Sequence, residues 1–163
     1  MTRSGFSQPR QPLTVGSEVR SVGSNDRRLM DAQVAAARFF RERLLESHSG
    51  WPATHLTQRG LGHLLRSSSP WKVGYAPDGW AHLVDHLRGQ GIDDETLLGA
   101  GLASATRNGY LVDRFRDRII FPAWDSDQHL VGFVGRARGG RFEVLELADD
   151  ADLPEVENTG RAQ

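Results

Sequence analysis

The sequence predicts an α+β protein, a helical N-terminal half packed with a small antiparallel sheet. Three observations carry that expectation. Apolar residues recur at helical spacing between positions 29 and 98. β-Branched and aromatic residues crowd the run from Leu111 to Arg138. Short Gly-, Asp- and Ser-rich turns punctuate both halves. With 163 residues, 38% of them apolar, the chain suffices for one domain with polar ends. It contains no cysteine, which excludes a disulfide framework, a thiol nucleophile and cysteine-ligated zinc. No apolar run approaches membrane-spanning length and no secretory signal core is present. A cytoplasmic protein with no membrane partner is therefore expected.

Residues 1–26, rich in Ser, Gly, Pro, Gln and Arg, read as a disordered arm before a domain over 27–148. Residues 29–46 predict a helix. Ala32, Ala36, Phe39, Phe40 and Leu44 form its apolar stripe, with Arg38, Arg41, Glu42 and Glu46 outside it. After His48-Ser49-Gly50, Trp51-Pro52 restarts a short helix that runs through Gln58 and stops at Gly60. Ser67-Ser68-Ser69-Pro70 is a loop. Asp78 reads as the N-cap of a helix carrying Trp80, Leu83, Val84 and Leu87 at i, i+3, i+4 and i+7. That assignment puts Trp80 in the core and His82 and His86 in solvent. The two histidines have zinc-gripping spacing, but the glutamate of a zincin motif is missing, and they read as incidental surface residues. Asp93 caps a further short helix with Leu97 and Leu98. Asn108-Gly109 is a turn leading into the strands, and FEVLEL from Phe142 adds another strand.

The run from Leu111 to Arg138 reads as two strands joined by Asp125-Ser126-Asp127-Gln128. Alternation sends Arg114, Arg116 and Arg118 to one face, and Phe115, Ile119 and Phe121 to the other. A hairpin would bring Arg136 and Arg138, at the end of the second strand, beside the first three. Turn length decides whether all five share a face, because a one-residue slip inverts it. Two readings stand side by side. The arginines are solvated surface, partly paired with Asp113, Asp117, Asp125 and Asp127. Alternatively an anion sits on them, since like charges packed across a sheet repel.

Charge segregation favours the anion. Between Arg107 and Arg141 seven arginines stand against four aspartates, a local balance of +3. From Glu143 to Glu157 there are seven acids and no base. Trp124, at the strand end near the turn, is a candidate for stacking on bases. Neither a P-loop nor a Rossmann fingerprint occurs, and no G-x-S-x-G elbow supports a hydrolytic triad.

GYAPDGW (residues 74–80), DRFRDRIIFP (113–122) and GFVGR (132–136) follow one another in that order. With the upstream Phe39-Phe40 helix and Gln58-Arg59-Gly60, they resemble the N-terminal part of the catalytic core of bacterial DnaG-type DNA primase, over roughly residues 30–160. The resemblance implies a mixed helix and antiparallel-sheet lobe with a basic ridge that guides single-stranded DNA template. On this chain the ridge would comprise Arg59, Arg114, Arg116, Arg118, Arg136 and Arg138. Asn158 would be retained from the family's Pro-Lys-Tyr-Leu-Asn-Ser/Thr motif, read here as Pro154-Glu155-Val156-Glu157-Asn158-Thr159. Glu155 thus stands where the family carries a lysine.

By the same resemblance, the metal-binding chemistry belongs to a toprim fold that follows this lobe. No metal or cofactor is expected in this chain, and Mg²⁺ only with a toprim partner. Asp150-Ala151-Asp152 matches the family's Asp-x-Asp pattern, yet no Glu-Gly motif precedes it, so it reads as acidic loop. Residues 149–163 are then an acidic tail or the start of a linker to a toprim fold. The implied function is template binding in RNA primer synthesis, without catalysis by the lobe alone. Implied partners are single-stranded DNA, a toprim-containing segment and a replicative helicase. The alternative is a non-catalytic scaffold remnant of a primase.

Overall fold

The computed structural model describes residues 24–139 and 142–145. Helix α1 runs Ser24–Glu46, α2 Trp51–Gln58, and a 3-10 turn covers Gly62–Leu65. Strand β1 (Gly74–Ala76) precedes α3 (His82–Gly89) and α4 (Asp94–Gly99). The remaining elements are β2 (Ala103–Ala105), β3 (Leu111–Asp113), β4 (Arg118–Trp124), β5 (Leu130–Ala137) and β6 (Phe142–Leu145). Strands β1, β4, β5 and β6 form an antiparallel sheet in that order, and β2 and β3 form a separate two-stranded one. This is the expected α+β arrangement.

Helix α1 begins at Ser24, inside the stretch read as an arm, and places Asp26 in its first turn. An acid there complements the partial positive charge of the helix start. The apolar stripe of α1 is buried as its spacing requires, but Arg41 belongs with it and not outside. Only 8% exposed, Arg41 donates from Nη1 to the carbonyls of Leu64 and Val73, each at 2.8 Å, and from Nη2 to that of Arg66. A buried cation donating to these three carbonyls supplies them with hydrogen bonds, although Arg66 O also accepts from Ser69 N at 2.9 Å. It ties the loop before β1 to α1.

The four-stranded sheet is covered on both faces. Gly74 lets α1 approach closely, since a Cβ there would fall 2.5 Å from Phe40 Cβ. On this face Phe40 meets Phe133 and Phe115 edge-on at 5.4 and 6.2 Å between centroids. Rings packed this way gain beyond their buried area, and truncating such a ring generally costs about 3–5 kcal/mol. Ile120 joins this cluster, while its neighbour Ile119 points the other way, into a second one with Leu44, Leu56, Leu64 and Val73.

Local signals placed several elements well. Pro52 in the first turn starts α2, and the Asp93 side chain accepts from Thr96 N at 2.8 Å to cap α4. In the turn after β4, Asp125 Oδ1 accepts from Asp127 N and His129 N. Gly109, at φ +79, closes the β2–β3 hairpin instead of opening the arginine-bearing one.

Candidate nucleic-acid interface

The run expected as one strand from Leu111 is broken in two. Asp117 sits in the left-handed region at φ 48, its N–H bonded to Pro77 O at 3.3 Å. Few residues other than Gly, Asn and Asp accept that conformation. The break upsets simple alternation, so Phe115 and Ile119 enter different core clusters. It also fans the first three arginines around a cavity. Arg114, Arg116, Arg118, Asp78, Gly79 and Trp80 line an open space of about 250 Å³.

Trp80 is the principal correction. It is 59% exposed, not part of the core, and the Arg116 guanidinium stacks over its ring at 4.1 Å. Helix α3 starts only at His82, with Ala81 as N-cap, so Asp78 caps nothing here. The cap comes from across the fold. Asp113 Oδ2 and Oδ1 accept from Leu83 N and Val84 N, each at 2.9 Å, while Asp113 N donates to Trp80 O at 2.6 Å. Burial pushes the Asp113 carboxyl above the usual carboxylate range, opposed by the Leu83 and Val84 N–H groups. Nearby, His82 is exposed as anticipated, whereas His86 is half-buried, its ring 4.8 Å from Phe39.

Register decides the face of the second pair of arginines. Arg118 pairs with Ala137 and Ile119 with Arg136, so Arg136 shares Ile119's face and lies opposite Arg118. Gly135, paired with Ile120, admits the Arg118 stem and Phe115 on the α1 face, where a Cβ would lie 2.9 and 3.0 Å from them. On the other face Arg138 stands 5.2 Å over the Trp51 ring, and Trp51 packs edge-on against Tyr75 and His55. Arg59, exposed at the C-terminus of α2, and Arg136 both act on His55. Burial first, then Arg136 and Arg59, hold this imidazole below its usual pKa. The five arginines thus meet at one end of the hairpin but divide between two faces.

The strand carboxylates are spent elsewhere. Asp113, 3% exposed, caps α3. Asp117 Oδ1 accepts from Trp51 Nε1 at 2.6 Å and from the Tyr75 hydroxyl at 2.9 Å. Burial, then this bond to Asp117, pushes the Tyr75 hydroxyl up to about 12, so it remains a donor. Asp125 and Asp127 lie at the far end of the hairpin, the nearer of them seven residues from Arg118, or about 23 Å at strand rise. Among the described residues no carboxylate pairs with Arg114 or Arg116, though Asp78 lines their cavity.

Trp124 is half-exposed at that far end, apart from the arginines. Asn158 and the Asp150-Ala151-Asp152 run lie outside the described residues. Sequence reasoning passed over Asp125, Asp127 and His129, whose ligand atoms lie within 4.8 Å of one another. All three are exposed, and Asp125 is already occupied by the turn's own N–H groups. Among the described residues no helix is long and apolar enough to cross a membrane.

The architecture is that of the N-terminal subdomain of a bacterial primase catalytic core. Residues 39–144 match the DNA primase catalytic core, N-terminal domain, and the chain belongs to that family. The DNA primase of Deinococcus radiodurans is 34% identical over 147 residues, covering 81% of this chain and 24% of that protein. The RNA polymerase domain of the Mycobacterium tuberculosis primase DnaG, solved with double-stranded DNA, superposes with a TM-score of 0.63 at 31% identity. It covers 72% of this chain and 38% of that one. A DnaG primase catalytic domain bound to single-stranded DNA gives 0.61 at 26% identity, over 80% and 38% of the two chains. This chain therefore spans about a quarter of the Deinococcus relative and under two-fifths of these solved chains.

Proposed function

We propose that this lobe holds the single-stranded DNA template for primer synthesis. The observation that carries the reading is the cavity in which Arg114 and Arg116 flank an exposed Trp80 while Asp113 and Asp117 are committed elsewhere. Arginines bond phosphate oxygens through a planar fork and release counterions from the strand. An exposed indole beside them offers a stacking surface to any base. Arg118 completes this side, and Arg59, Arg136 and Arg138 continue the positive surface on the opposite face. Base stacking falls to Trp80 rather than Trp124, which stands at the other end of the hairpin. Nucleotide transfer is assigned to a toprim-containing segment with Mg²⁺, with which this lobe works together with a replicative helicase.

The test is a titration of a short single-stranded oligonucleotide followed by fluorescence anisotropy across KCl concentrations. For single strands each phosphate contact contributes about 0.7 to the slope of log K against log salt. Replacing Arg114 and Arg116 by Ala should lower that slope by about 1.4 and leave the thermal transition in place. An unchanged slope overturns the assignment.

A further inference from the structure

We propose that Asp117 is a positioning residue for template binding, a carboxylate whose role is to hold the two arginine groups in place although its charge opposes a polyanion. The proposal rests on the template-binding reading above and adds to it how the two faces are tied together. Asp117 lies between Arg116 and Arg118 in sequence, and its left-handed backbone makes the break from which those side chains diverge. Its N–H holds Pro77 O, fixing the segment that leads to Trp80. Its carboxylate passes to the other face, where Oδ1 takes the Trp51 indole N–H and the Tyr75 hydroxyl. Trp51, so fastened, is the ring beneath Arg138. One residue therefore sets the spread of Arg116 and Arg118 on one side and the seat of Arg138 on the other.

Charge and positioning predict opposite signs, which makes the proposal decidable. On charge alone, removing a carboxylate among arginines tightens polyanion binding. If Asp117 positions them, Asp117→Gly, which keeps the left-handed backbone but deletes the acceptor, loosens it. The expected loss is about fivefold, the scale of one ordinary net hydrogen bond. Asp117→Asn should bind within about twofold of wild type, because its amide oxygen still accepts from Trp51 and Tyr75 and Asn tolerates the conformation.

Trp51→Phe removes the indole donor while keeping a ring under Arg138, and should loosen binding by a similar factor. Combined with Asp117→Gly, it should add nothing further, since both cut the same link. The probe is a fluorescent oligothymidylate at low salt, with a thermal melt of every variant. Tighter binding by Asp117→Gly, no rescue by Asp117→Asn, or independent losses in the double variant each overturn the proposal. Should Asp117→Gly fail to fold, the pairing of Trp51→Phe with Asp117→Asn decides it: a loss in the first with retention in the second supports positioning. Failure of the wild-type chain to bind any oligonucleotide removes the template reading itself, and positioning for it falls too. Wild-type binding with indifferent variants removes positioning alone.

Discussion

Two arginine–indole pairs flank the open end of the same hairpin, and they are built differently. Arg116 lies 4.1 Å over Trp80, which is exposed and gripped through its backbone by Asp113 N. Arg138 lies 5.2 Å over Trp51, which is half-buried and gripped through its ring N–H by Asp117. A tryptophan anchored by its main chain leaves its ring available, whereas one anchored by its ring is fixed as a platform. The difference predicts that the Trp80 side reads the ligand and the Trp51 side orients cations. It also shows why two acids persist inside a basic run: each is a structural acceptor, and neither serves as a counter-ion for Arg114 or Arg116.

The most damaging change is predicted at Asp113. Asp113→Ala removes a buried acceptor from two N–H groups at the start of α3 and uncouples that helix from β3. Loss of a cap generally costs about 0.5–2 kcal/mol, and stranding buried donors adds about 1–3. A total loss of about 2–4 kcal/mol in urea unfolding is expected, with Asp113→Asn intermediate because one amide oxygen still accepts. Stability equal to wild type would mean that α3 does not depend on its distant cap.

Next in size is Trp80. Base stacking on an aromatic side chain is worth about 1–3 kcal/mol by alanine substitution. Trp80→Ala should therefore weaken oligonucleotide binding at least fivefold while sparing stability, since the ring is exposed and its anchor is backbone. Trp124→Ala, at the opposite end of β4, should change affinity less than twofold. Equal effects in the two variants would erase the distinction between the rings, and anisotropy titrations of both read it directly.

What could be read from the chain divides along the same line. Features fixed by near neighbours were legible: Pro52 starting α2, Asp93 capping α4, the stripe of α1 and the Asp125 turn. The family resemblance and the α+β class were legible too. Illegible features depended on partners far along the chain. Asp113 caps a helix about thirty residues upstream, and nothing local marks it as anything but a surface acid. Arg41 looked like a solvated helix residue because its acceptors lie 23 to 32 residues away. The face of Arg136 followed from the pairing of β4 with β5, which no periodicity reports. Trp80 was misplaced for a different reason. Its spacing to Leu83, Val84 and Leu87 imitates a helix, but Pro77 and Gly79 sit where that helix would begin. Gly79, at φ +152, cannot be helical, and the two residues were the available warning.

The smallest effect expected concerns pH, and it falls on the Trp51 face. Burial, Arg136 and Arg59 together hold His55 below its usual pKa. The folded protein therefore binds this proton less readily than the unfolded chain. Its stability should decline as pH falls through the unfolded histidine value of about 6.5. Phosphates seated on Arg59 and Arg136 would offset those two cations and raise the His55 pKa in the complex. Linkage then requires the bound state to take up a fraction of a proton, so binding tightens as pH falls from about 7.5 to 5.5. The gain should be modest, about twofold to threefold, because the strand is held mainly by groups that stay charged throughout. His55→Gln should abolish it without altering affinity at pH 7.5. The same dependence surviving in His55→Gln would place the titrating group elsewhere. If affinity is flat with pH in the wild-type chain while the Arg114→Ala, Arg116→Ala variant still loses salt dependence, the strand occupies the Trp80 side and leaves the Trp51 side empty.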